Sequence, residues 1–239
     1  MGNSILETVT EFNDLGVLIS SDLSWNNHIK LKIARANSML GFIKRAIGFN
    51  ASSKAKKTLY LSYIRSAVMY NSTVWHLNKT HIRLLEGIQR RATKYILNDY
   101  ESDYKTRLRK CKLLPLSYYK EARDLYLLFK CLNGFFNIDV NTLFTFHRNT
   151  RALENFDPLR LKLPFFNTEK RAAFYTVRLV KLWNSLPLII RSLKCKTKNI
   201  TSFKNSVTEI YLNLFESRFD PLNPCTWVTF CRCSLCRDA

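Results

Sequence analysis

Ile29, Ile33, Ala36, Leu40, Ile43 and Ile47 recur at intervals of 4, 3, 4, 3 and 4. That spacing lays one apolar stripe along an α-helix and has no counterpart along a strand. The same period returns in Leu59, Tyr63, Ala67, Tyr70 and Val74 within about 52–75, and in Leu85, Ile88, Ala92 and Ile96. It returns again in Tyr118, Ala122, Leu125, Phe129 and Leu132, and in Phe203, Val207, Ile210 and Leu214. Six glycines and six prolines in 239 residues are too few for a loop-rich β protein, so a mainly α fold is predicted. The exception is the start, where Ile5 to Thr10 and Glu11 to Ser20 alternate around Asn13-Asp14 and predict a short β-hairpin. Ser24 is the expected N-cap of the first long helix, and Asn133-Gly134 the stop of the one that begins near Tyr118.

The chain divides accordingly into a hairpin over 1–22, a helical domain over 23–134, a connection over 135–170, a smaller helical region over 171–218 and a cysteine-rich tail over 219–239. The connection holds Asp157-Pro158 and Leu163-Pro164 without a sustained period, which predicts a domain boundary with one short strand. Beyond it Ala173, Val177 and Val180 predict a helix that runs into Trp183 and ends at Pro187.

Lys and Arg number 38 against 18 Asp and Glu, a net charge of +20, in a chain that is 46% hydrophobic. Such a chain folds and carries a positive field suited to a polyanion. From Arg160 to Lys204 the only acid is Glu169. On the Leu85–Ile96 helix, Arg83, Arg90 and Lys94 fall on the side opposite the apolar face with Gly87 beside them, flanked by Arg91 and helped by Lys44 and Arg45. The stripe reads either as a phosphate-binding surface or as a solvated face with a tolerated glycine. Leu31 and Phe42 lie opposite the main apolar face of the first long helix, interleaved with Arg35 and Arg45. That strip either packs on another element or stacks bases.

A series of short motifs adds a resemblance. Leu15-Gly16-Val17, Leu23-Ser24-Trp25 with His28-Ile29, Leu40-Gly41-Phe42, Tyr60-Leu61-Ser62-Tyr63-Ile64-Arg65 with Tyr70 and Val74-Trp75, the Leu85–Tyr95 helix, Leu182-Trp183-Asn184-Ser185-Leu186-Pro187 and Ser202-Phe203-Lys204 follow one another in this order. The order resembles the region after the polymerase active site in reverse transcriptases of non-LTR (LINE and jockey type) retrotransposons, from Phe12 to about Leu214. The resemblance implies the last strands of a palm, a helical thumb over 23–134 and a C-terminal region. It also implies a template-primer duplex of RNA or DNA as partner, with the Phe12–Ile19 hairpin steadying the primer end and the absent palm and fingers as further partners. Asp14 stands where that family usually has Tyr, so the primer contact is not carried over.

Nucleotidyl transfer needs two metal ions held by clustered carboxylates, which the family supplies from an aromatic-x-Asp-Asp motif. No Asp-Asp occurs in this chain, so Mg²⁺ chemistry belongs to a complete parent enzyme and no catalytic residue is assigned here. Asp99, Asp103, Asp139 and Asp157 read as caps, turns or surface charge. His28, His76, His81 and His147 form no H-E-x-x-H pattern, and no G-x-S-x-G or Walker-type loop is present. Cys111, Cys131 and Cys195 are dispersed, whereas Cys225, Cys231, Cys233 and Cys236 crowd the tail. Those four thiols either hold one zinc ion, despite the uncommon C-x5-C-x-C-x2-C spacing, or form a reduced frayed end.

No apolar run reaches the length of a spanning helix, and Met1–Thr10 lacks a signal-peptide layout, so an intracellular, nuclear or cytoplasmic protein without membrane partners is expected. Two function classes follow. One is a non-catalytic reverse transcriptase fragment that grips a duplex; the other is a stand-alone basic helical protein or a decayed element.

Overall fold

A computed structural model describes residues 8–147, 157–192 and 200–230. The fold is mainly helical behind an N-terminal antiparallel hairpin. Strands β1 (Glu11–Asp14) and β2 (Val17–Ser20) pair with Phe12 opposite Ile19 and Asp14 opposite Val17. The turn sits at Leu15-Gly16, two residues beyond the expected Asn13-Asp14. Both turn residues have positive φ, 46° and 80°, the tight-hairpin geometry whose twist matches the strands.

Helix α1 spans Asn26–Ile47 and buries Ile29, Ala36, Leu40 and Ile43, as the 4-3 spacing predicts. Ser24 does not cap it: the cap position is Trp25, which makes no side-chain bond, while the Ser24 N–H turns back to Asp22 Oδ1 at 2.9 Å.

Next comes one helical rod of three parts, α2 (Ser53–Leu59), a π-helical turn (Tyr60–Arg65) and α3 (Ser66–Val68). Its buried line is Lys56, Tyr60, Ile64 and Val68. The line expected from the sequence, Leu59, Tyr63, Ala67, Tyr70 and Val74, is one position out of phase, and Tyr63, Ala67, Tyr70 and Val74 are exposed. The physical reason is Lys56. Its ammonium is satisfied inside by Phe49 O at 2.7 Å and Asn98 Oδ1 at 2.9 Å and lies 4.8 Å from the Tyr95 ring centre, so a charged residue takes a place that hydropathy reserves for an apolar one.

Helix α4 (Lys79–Leu97) is the axis on which the rest packs, touching α1, α2, α5 (Tyr104–Cys111), α6 (Leu116–Leu132) and a late 3₁₀ turn (Pro224–Trp227). Asn78 caps its start through the His81 N–H at 2.8 Å, and left-handed Asn98 closes its end. Because neighbours surround it, α4 buries Glu86, Gln89 and Thr93 as well as Leu85, Ile88 and Ala92. The buried polar groups are paired, as burial demands. Gln89 accepts from Tyr60 Oη at 2.6 Å and donates to Leu114 O at 3.0 Å, and Glu86 accepts from Tyr104 Oη at 2.5 Å and Ser117 N at 3.2 Å.

After α6 the connection holds α7 (Val140–Leu143) and an isolated bridge from Phe146 to Leu161 where a short strand was expected. Helices α8 (Glu169–Ala173), α9 (Tyr175–Asn184), α10 (Leu188–Arg191) and α11 (Ile200–Ser217) follow. The expected domain boundary does not divide the hydrophobic core. Phe203 of α11 stacks on Phe129 of α6 with ring centres 4.1 Å apart, and one buried cluster runs from Ile29 to Trp227. Among the described residues no helix is long and apolar enough to cross a membrane.

Candidate nucleic-acid interface

Several motif residues of the N-terminal half meet at one junction. His28 lies between Trp25 and Trp75, with ring centres 6.0 and 5.9 Å away. Its Nδ1 accepts the Leu18 N–H at 3.1 Å, which ties β2 to α1. That bond requires the neutral ring, and burial, reinforced by Lys32 and Arg35, pulls the His28 pKa down to about 4. Tyr70 Oη donates to Leu15 O at 3.1 Å. In the C-terminal half, buried Trp183 donates to Leu159 O at 2.9 Å, and Asn184 bonds both Leu161 N and Leu161 O. These residues hold the connection on α9, so their roles in this fold are structural.

The basic residues singled out from the sequence do not form one open stripe. Arg83 is exposed on α4, but Arg90 is covered by the C-terminal segment. The Arg90 guanidinium lies 4.7 Å from the Tyr104 ring centre and 5.3 Å from that of Trp227, and it donates to Pro221 O at 2.6 Å. Helical phase alone could not foresee a segment 131 residues away closing over it. Lys94 lies 5.9 Å from the Tyr100 ring centre and Lys44 5.5 Å from that of Tyr95. Exposed Arg91 crosses to α1, where it donates to Asn37 Oδ1 at 2.7 Å. A Cβ at Gly87 would lie 3.8 Å from Arg91 Nη1 and one at Gly41 3.4 Å from Arg45 Nη1, both ordinary van der Waals distances.

The surface that emerges is broader than the stripe. Between Asp22 and Asp99 the only carboxylate is Glu86, and it is 1% exposed. Helices α1 to α4 therefore present no acid to solvent, while Arg35, Arg45, Arg83 and Arg91 are exposed there. The signal was present in the sequence, as the spacing of acids and not as the placement of bases on one helix.

The basic run from Arg160 to Lys204 contrasts with it. Arg178 reaches Asp124 at 3.3 Å and Arg191 reaches Asp157 at 2.5 Å, both with largely buried side chains, and Lys170 bonds Asp22 O at 2.7 Å. Lys194, Lys196 and Lys198 lie outside the described residues. The isolated aspartates act as expected: Asp103 caps α5 and Asp139 caps α7, and Asp99 accepts from Ser102 N at 2.9 Å.

No group of three or more His, Cys, Asp or Glu residues is placed to hold a metal ion among the described residues. Cys225 is half-buried, with Lys79 Nζ 3.5 Å from its sulfur; Cys231, Cys233 and Cys236 lie outside the described residues. Cys111 and Cys131 are buried, and burial raises both thiol pKa values. A cavity of about 340 Å³ opens beside α6, α9 and the C-terminal segment, with Lys120, Asp124 and Arg178 in its wall. Comparison with protein families, curated proteins and solved structures gives no match.

Proposed function

We propose that this chain is a non-catalytic part of a non-LTR retrotransposon reverse transcriptase that holds a template-primer duplex against the acid-free face of α1 to α4. The observation that carries the binding half of this reading is the charge layout: exposed arginines on two packed helices with no exposed carboxylate between Asp22 and Asp99. A polyanion meets attraction across such a face, with exposed Glu11 at its margin beside Asn27 of α1, and its phosphates are contacted without regard to sequence. The polymerase half rests on the ordered motifs from Leu15 to Lys204. Synthesis itself, with its Mg²⁺ ions, is assigned to carboxylates that this chain does not contain. Zinc at Cys225, Cys231, Cys233 and Cys236 is a separate proposal that rests on the thiol chemistry alone.

Titration of a fluorescent B-DNA duplex at several salt concentrations tests the binding. If about five phosphates are neutralised, log K against log salt has a slope of about −4 to −5, and unrelated sequences give the same line. A slope near zero contradicts the reading. Primer extension by this chain alone, above a control without protein, would overturn the assignment of chemistry elsewhere.

A further inference from the structure

The outward side of α1 carries a second kind of surface within the acid-free face. At 100° per residue, Leu31, Arg35, Ser38, Phe42 and Arg45 lie within about 40° of one line along the helix. All five are exposed, Phe42 at 60% and Leu31 at 47%. Leu31 and Phe42 are about 16 Å apart along the axis at 1.5 Å per residue, with cationic and small polar residues between and beside them. Helix α1 has no acidic residue at all.

We infer that this side of α1 is a track for unpaired nucleic-acid strands, with Phe42 as the stacking platform for a base and Arg35 and Arg45 as phosphate contacts on either side. The inference rests on the polyanion-binding reading above and narrows it. A duplex turns the faces of its bases inward and offers phosphates outward, so a duplex lying on α1 would engage the arginines and leave Phe42 against water or sugar. An unpaired strand offers both a base face and a phosphate, and an aromatic ring among arginines answers both. On the line itself the two large apolar residues are eleven residues apart, with Arg35 and Ser38 between them, while exposed Met39, three residues before Phe42, lies about 60° round the helix from it.

The test compares fluorescence anisotropy of a labelled dT 20-mer and of a blunt 20-base-pair duplex on the full chain and on Phe42→Ala. Stacking of one base predicts that Phe42→Ala weakens single-strand binding about tenfold, leaves the salt slope unchanged and leaves duplex affinity unchanged. Phe42→Trp restores single-strand affinity, and its indole fluorescence is quenched when dT binds. Because Phe42 points outward, circular dichroism of Phe42→Ala should match that of the wild type. Unchanged dT affinity in Phe42→Ala, or an equal loss for duplex and single strand, overturns the inference. If the wild type binds duplex but not dT, the track fails and the duplex reading stands. If it binds neither, both fail.

Discussion

Replacement of Asp124 by Ala should be among the most destabilising changes in this protein, and its cost should depend on pH. Asp124 Oδ2 accepts from Lys120 Nζ at 2.9 Å and from Arg178 Nε at 3.3 Å, and the three side chains are 2%, 6% and 11% exposed. Arg178 also donates to Ala173 O and Thr73 O, so this cluster fastens α9 to α6 and to the loop before α4. Removing the carboxylate takes from Arg178 and Lys120 the acid that both contact and leaves Lys120 only the weaker pull of Glu121, a change that costs about 3–5 kcal/mol. Lys120 limits the penalty by losing its proton. Burial, aided by Arg178, already brings its pKa from 10.5 to about 8 against the pull of Asp124, and without Asp124 it falls further. Neutralising at pH 7 a lysine that titrates at 10.5 when unfolded costs about 5 kcal/mol, and about 1.4 kcal/mol less for each pH step upward. A lysine with a depressed folded pKa leaves the unfolded chain holding more protons, so stability rises with pH in that window. Asp124→Ala should therefore regain about 1 kcal/mol relative to wild type between pH 7 and 8, by urea denaturation followed by circular dichroism. A loss below about 1 kcal/mol at pH 7, or one that does not change between pH 7 and 8, would refute the claim that these cations depend on Asp124 for charge balance.

Arg90 and Arg83 should separate. Arg90→Gln loses its contacts with Tyr104, Trp227 and Pro221 and should lower the urea midpoint by an amount worth about 1–3 kcal/mol, whereas Arg83→Gln should leave the midpoint unchanged and flatten the salt slope of duplex binding by about 1. His28 should mark acid sensitivity. Its folded pKa is depressed to about 4, so its contribution is intact above 6.5 and is lost as pH falls from 6.5 through 4; His28→Asn, which keeps an acceptor for Leu18 N–H, should show a smaller fall in Tm between pH 7 and 4.5 than wild type. For the tail, metal analysis of protein purified under reducing conditions without chelator should find one zinc per chain, and a value near zero would remove the zinc proposal.

How much of this was legible in the sequence varied with how locally each element is determined. The expected apolar lines of α1 and α6 follow from spacing because each stripe faces the core; Tyr118, Ala122, Leu125, Phe129 and Leu132 are all buried, although α6 also buries Lys120 and Asp124 against its other neighbours. The Ser53–Val68 rod was misphased because a lysine satisfied by carbonyls and a ring took an interior place. Helix α5 is hidden from periodicity because Arg107 is buried beside Tyr104, Leu108 and Cys111; Asp103, its cap, is the local clue. At the candidate interface the sequence could not tell exposed Arg83 from covered Arg90. That distinction depends on Pro221 and Trp227, which reach α4 only through tertiary packing. The acid-free span from Asp22 to Asp99 needed no structure to see, and only the burial of Glu86 needed one to complete it.

Under the proposed function, placement of charge and not its total makes the α1–α4 face the binding surface. Two triple variants with equal loss of charge decide it: Arg45, Arg83 and Arg91 changed to Gln on that face, and Lys112, Lys130 and Lys162 changed to Gln elsewhere. Salt-dependent anisotropy on one duplex is measured for both after circular dichroism has shown each folded. The face variant should bind more weakly and lose up to about 3 from the slope, while the other keeps a slope near that of wild type. Equal weakening and equal flattening in the two variants would show that net charge alone is at work, and would contradict the account.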